Sequence, residues 1–151
     1  MKPLRKLKIM VYLQAKRKPL VMKNNNPIEE SRRYVENAQK VLRENGKLDK
    51  DKSNYEDPKY VRAAGNYLWL GVLLALEAVF HLKKQKGSRV DIDDYKALIT
   101  KRDKKLLTTL NNAYNVLHLS MTYDGIQSKK ICDSGFQIAN NIIDRCEKMI
   151  A

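Results

Sequence analysis

Apolar residues in this chain recur at spacings of three and four, the period of a helix with one face on a core, and four such runs follow one another. The first opens at Asn26-Pro27-Ile28-Glu29, where Asn26 can cap, Pro27 suits the first helical position and Glu29 completes a capping box. Ile28, Val35, Ala38 and Leu42, with Ser31 filling one slot, mark its inner face, and Asn45-Gly46 predicts a left-handed stop. Residues 47–56 are charged and nearly devoid of large apolar side chains, which predicts an exposed connection. Asp57-Pro58 repeats the cap-then-proline signal. Behind it one stripe (Tyr60, Ala64, Tyr67, Gly71, Leu74, Ala78, Leu82) lies beside another (Val61, Leu68, Val72, Leu76, Val79), so this helix should be the centre of the core, ending at Gly87-Ser88. The third run opens at Asp91 with acids in its first turn and Val90 placed to staple on Tyr95. It continues through Ile99, Leu106, Leu110, Ala113, Leu117 and Met121, with residues 100–105 polar enough for a kink and Asp124-Gly125 as the turn. The fourth runs from about Gln127 to the end, with Ile131, Gly135, Ile138, Ile142 and Met149 on one face and Phe136, Ala139, Ile143 and Ile150 beside them. No alternation of the β type interrupts this pattern.

Four amphipathic helices on short connections predict an all-α fold, an antiparallel up-and-down four-helix bundle over residues 27–151, preceded by a basic N-terminal extension, residues 1–26. Pro3 and Pro19 bracket the extension, a polar run of Lys23 and three Asn closes it, and Leu4, Leu7 and Val11 allow a short, weakly amphipathic helix. Three readings of it stay open: a basic arm for nucleic acid or lipid, a solvated and disordered tail, and a stretch lying upstream of a true start at Met22.

A length of 151 residues with 43% hydrophobic content fits a single domain. The net charge of +13 points toward nucleic acid or an anionic membrane, but residues 1–23 hold eight cations and no acid, so the remainder carries only +5. Cys132 and Cys146 are too few for the disulfide framework of a small secreted fold. On one helix they stand roughly 21 Å apart, beyond the reach of a disulfide, and both read as reduced thiols of a cytoplasmic protein. Lys16-Arg17-Lys18 follows the N-terminal apolar residues where a signal peptide needs small ones, so no secretory signal is expected. The most apolar stretch, Tyr67 to Leu82, contains Glu77 and His81 and reads as a buried bundle helix, not a membrane span.

Residues 57–80 (DPKYVRAAGNYLWLGVLLALEAVF) and 113–125 (AYNVLHLSMTYDG) carry a resemblance to small bacterial helical-bundle domains of unknown function, which are themselves similar to the HEPN (higher eukaryotes and prokaryotes nucleotide-binding) bundles. The nearer family implies a helical bundle and no activity; the HEPN similarity implies, as an alternative, a nucleotide or nucleic-acid partner and, were a nucleotidyltransferase encoded beside it, a place in a toxin–antitoxin-type system. Ribonucleases of the HEPN class carry an Arg, four intervening residues and a His. Here Leu76 precedes His81 at that distance, Ala113 precedes His118, and Ile150 follows Arg145, so the catalytic pair is not carried over.

With two histidines the usual acid/base and metal arrangements are hard to assemble. His81 reads as a helix-end cation. His118 is expected in the interior or, with Tyr114 and Tyr123, in a small polar pocket. Glu29, Glu30, Asp91, Asp93 and Asp94 stand at helix starts, where carboxylates are favoured without a ligand, and the Glu-x-x-His pairs of di-iron bundles are missing. No phosphate loop, cofactor or metal is expected, and no catalytic residue is assigned. Trp69, Leu70 and Leu73 fall on the less-buried side of the second helix, a flank too apolar to face water, and form a candidate interface. The expected function is therefore that of a non-enzymatic bundle acting through protein–protein contact, beginning with self-association. The alternative is a nucleic-acid- or nucleotide-binding bundle of the HEPN kind.

Overall fold

The structure, a computed structural model, describes residues 26–82 and 91–151. They form α1 (Pro27–Asn45), α2 (Pro58–Phe80), α3 (Ile92–Thr100), α4 (Lys104–Ala113), a π-helical segment (Tyr114–Tyr123) and α5 (Lys129–Ile150). Among the described residues there is no strand, only two isolated bridges, and the fold is all-α. The readings of the N-terminal extension, the Gly87-Ser88 stop and the Val90 staple lie outside the described residues.

α1 buries Ile28, Ser31, Val35, Ala38 and Leu42, the face its spacing predicts. Its start is held by the Asn26 side chain, which accepts from the Ile28 amide at 3.1 Å. The expected reciprocal contact from Glu29 is not made; the Ser31 hydroxyl, one turn in, donates to the Pro27 carbonyl at 2.8 Å. The left-handed stop at Gly46 is corrected as well. Gly46 has φ −79°, and glycine suits the position because an added Cβ would sit 2.6 Å from the Leu42 carbonyl oxygen and 3.0 Å from the Tyr55 ring.

Tyr55 also corrects the expectation of a solvated connection. It is 8% exposed, and residues 47–56 fold back on themselves and onto the segment before α5. The Glu56 amide donates to the Lys47 carbonyl, the Tyr55 amide to the Gln127 carbonyl at 2.8 Å, and the Lys129 amide to the Ser53 carbonyl at 2.9 Å. The Gln127 side-chain amide adds bonds to the Tyr55 and Glu56 carbonyls. The charged side chains face water while the backbone makes the contacts, so composition misses them.

α2 is the central element, packed against α1, α5 and the π segment. By length and composition alone it is apolar enough to cross a membrane. In the structure Val61, Ala64, Leu68, Val72, Ala75 and Leu76 are fully buried. It stops at Phe80, before the predicted Gly87-Ser88, where His81 takes a left-handed conformation (φ 50°) and donates its amide to the Glu77 carbonyl. The predicted third helix is interrupted. Lys101 and Arg102 form a turn, and Asp103 begins α4 by accepting from the Leu106 amide at 3.0 Å. The same carboxylate receives Arg145 of α5 through two bonds, of 2.6 and 2.8 Å, and that pairing anchors the break. Tyr95, Ile99, Leu106, Leu110, Ala113, Leu117 and Met121 all turn inward despite it. In α5, Cys132 and Cys146 occupy fully buried positions, whereas Met149 and Ile150 lie exposed in the last turn.

Candidate functional site

The π segment decides which side chains meet beside α2. A π turn admits an extra residue relative to the α-helix, and such turns recur at functional sites. Here the Asp124 amide bonds the Leu119 carbonyl five residues back, and the Thr122 hydroxyl reaches the Leu117 carbonyl at 2.7 Å. The close approach to α2 occurs at Gly65, where a Cβ would stand 2.6 Å from Met121 Cβ and 2.8 Å from the Thr122 hydroxyl. With backbones this near, the aromatic side chains on either side are pushed together.

The result is a cluster of four rings. Trp69 stands edge-on to Tyr114 at 5.9 Å between centroids and lies 5.5 Å from His118; Tyr114 and His118 are 5.2 Å apart, and His118 meets Tyr123 at 6.1 Å. The three residues predicted to share a polar pocket, Tyr114, His118 and Tyr123, are therefore brought together, as rings in tilted and edge-on contact. Lys96 of α3 places its ammonium 5.6 Å from the centre of the Tyr114 ring. Tyr123, at the outer edge, is 70% exposed.

The three residues predicted as an interface separate. Trp69 is 8% exposed and belongs to the ring cluster, covered by its own chain; Leu73 is half-buried against the core; Leu70, 38% exposed, is alone among the three in being open to water. The physical reason is that α2 is flanked on both sides. The π segment takes the Trp69 side, and α1 takes the other, where Tyr34 and Tyr67 meet at 6.1 Å and Ser31 abuts Gly71. What remains is a narrow strip along the helix: Lys59, Arg62, Asn66, Leu70 and Glu77 are exposed, with Leu73 among them half-covered.

Arg62 and Lys96 were not singled out by the sequence. Arg62 donates to the Tyr123 carbonyl at 2.7 Å and holds the end of the π segment against α2, while Gly125 beside it takes φ 61°. The recurrence of exposed residues at 62, 66, 70 and 77, with half-buried Leu73 among them, was available as a signal, at the same spacing that identified the core face.

Elsewhere, an open cleft of about 610 Å³ lies at the start of α5, lined by Lys52, Asn54, Lys129 and Asp133 among others. Its Lys129 is already paired with Asp133 at 2.6 Å. The two thiols have no chemistry to offer at the surface: burial pushes Cys132 up to about 11 and Cys146 to about 12. Among the described residues no three His, Cys, Asp or Glu side chains gather into a group able to hold a metal ion. His81 is exposed at the end of α2, remote in sequence and contacts from the ring cluster.

The domain-of-unknown-function model DUF5618 matches residues 26–148. The chain is also similar to a solved structure, a protein of unknown function from Dyadobacter fermentans, with 38% identity and a TM-score of 0.74 over 84% of this chain and 98% of that one. No curated protein matches.

Proposed function

The chain belongs to the DUF5618 family, and we propose from the geometry of its α2 face that it is a non-enzymatic helical bundle working by protein–protein contact, first of all with itself. One observation carries this reading: Leu70 and Tyr123, 38% and 70% exposed, stand at the edge of a packed ring cluster and a flanked helix strip. An exposed leucine and an exposed tyrosine, with Arg62 bound to the Tyr123 carbonyl, match the make-up of interfaces, where Tyr, Trp and Arg are enriched. The helix order is read as an antiparallel up-and-down four-helix bundle, in which α3, α4 and the π segment together serve as the third helix. Ser31 beside Gly71 and Arg145 beside Asp103 support that reading. The packing of α2 against α1, α5 and the π segment favours a core helix over a membrane span, and the buried free thiols favour the cytoplasm. Sedimentation of the full chain at tens of micromolar tests the central claim: a dimer or larger species is expected, and a monomer refutes self-association.

A second reading, nucleic-acid binding, is favoured by where the charge lies. Residues 1–25 and 83–90 hold twelve of the thirty cations and no acid, so the net +13 falls to +1 over the described residues. Any role of the HEPN or toxin–antitoxin kind belongs with this reading. Counterion release would make such affinity fall steeply with salt, whereas an apolar contact barely responds, so a salt series separates the two.

A further inference from the structure

The exposed strip of α2 is complementary to itself. In order it reads Lys59, Arg62, Asn66, Leu70, Leu73, Glu77, with cations at one end, a carboxylate at the other and leucines between. Successive members are three or four residues apart and so share one face of the helix. Arg62 and Glu77 stand nearly equal distances in sequence from Leu70, on opposite sides of it.

We propose that a second copy of the chain packs its α2 antiparallel on this strip, about a twofold axis at Leu70. The inference rests on the self-association reading above and supplies its geometry. A twofold contact uses the same patch on both subunits, so residue i meets j and j meets i. Reversing the helix about Leu70 sets Leu70 against the partner's Leu70, Asn66 against the partner's Leu73, and Arg62 against the partner's Glu77, twice over. Both charges then find opposite partners at the rim while the leucines leave water at the centre, the layout of a stable interface. Arg62 spends two N–H groups on the Tyr123 and Asp124 carbonyls and keeps others for a carboxylate. A single helix pair falls short of the roughly 1,200–2,000 Å² that specific interfaces bury, so the flanking rings must contribute. Tyr123, 70% exposed and fixed beside Arg62, is placed to do so.

The pairing of Arg62 with Glu77 makes the test a charge swap. Wild type, Arg62→Glu, Glu77→Arg and the double variant are compared by sedimentation velocity, with circular dichroism to check that each is folded. Each single variant brings two like-charge pairs into the contact and is expected to weaken the dimer by roughly tenfold or more. The double variant restores opposite charges and should return to near wild-type association. Because Arg62 also braces the π segment, Glu77→Arg and Leu70→Lys are the variants whose effect does not depend on that contact. If both associate like wild type, the strip is not the interface and this geometry is wrong, although self-association stands. A double variant no tighter than Arg62→Glu, which lacks the same brace, also overturns the antiparallel register. A monomeric wild type refutes both the geometry and the reading beneath it. If removing residues 1–25 converts such a monomer to a dimer, the strip belongs to that segment and the proposed geometry of the full chain fails.

Discussion

Asp103 performs two tasks at the break between α3 and α4, and substitutions can separate them. One carboxylate oxygen accepts from the Leu106 amide at 3.0 Å, capping α4, and both oxygens receive Arg145 from α5. Loss of a cap costs about 1 kcal/mol, and the ion pair adds a smaller contribution because Arg145 is open to water, so Asp103→Ala should lose somewhat more than the cap alone. For a chain of this length loss of the cap alone is a fall in Tm of roughly 2–4 °C. Asn caps as well as Asp but carries no charge, so Asp103→Asn should lose only the smaller, ion-pair part, and Arg145→Ala should match it. The Arg145 guanidinium holds the Asp103 carboxyl below its ordinary value of 3.8. A depressed carboxyl stabilises the fold above its unfolded-state value and loses that contribution as pH falls through the folded one. The gap between wild type and Arg145→Ala should therefore be full at pH 7 and close below about pH 4. Urea unfolding at both pH values measures it. Equal losses from Asp103→Asn and Asp103→Ala would show that the cap contributes nothing, and a gap unchanged by acid would show that the ion pair is not its source.

Gly65→Ala should destabilise by about 1–3 kcal/mol in thermal melts, because the new methyl meets Met121 Cβ and the backbone of Thr122. A neutral result would mean that the π segment yields without cost. Neither thiol should react with a disulfide reagent in the folded chain, since both are buried and raised to about 11 and about 12, while both should react in urea. Rapid labelling in buffer would contradict that burial. Deleting residues 1–22 should leave Tm nearly unchanged, because the family match and the first capped helix both begin at residue 26; a large fall would make the extension part of the fold.

The inner faces of α1 and of the third run were legible because burial follows a period that one sequence displays directly. Ile28, Val35, Ala38 and Leu42 face inward as their spacing predicts, as do the residues from Tyr95 to Met121. The π segment was hidden in the same signal: Leu110, Ala113, Leu117 and Met121 keep an ordinary helical spacing, and the inserted residue shows only in backbone bonds such as Asp124 to Leu119. Trp69 was misassigned because an all-apolar helix reveals little of which side its neighbours take; a tertiary contact, not a local preference, settles it. The cysteines of α5 sit deeper than Met149 and Ile150, since the end of a helix can project past the elements that would cover it. Tyr55 escaped notice in a charged stretch whose ordering comes from main-chain bonds to residues far along the chain.

Those main-chain bonds govern how the molecule opens. Segments 53–55 and 127–129 belong to different halves of the chain, and the bonds between them close a long loop. Closing so long a loop costs entropy that local contacts must first offset, so this seam forms late in folding. The Tyr55 and Lys129 amides should therefore exchange their hydrogens only when the two halves part, so that a surface loop reports on a global event. A probe placed at this polar, solvent-washed corner thus follows the cooperativity of the whole domain, where most loops report only their own fraying.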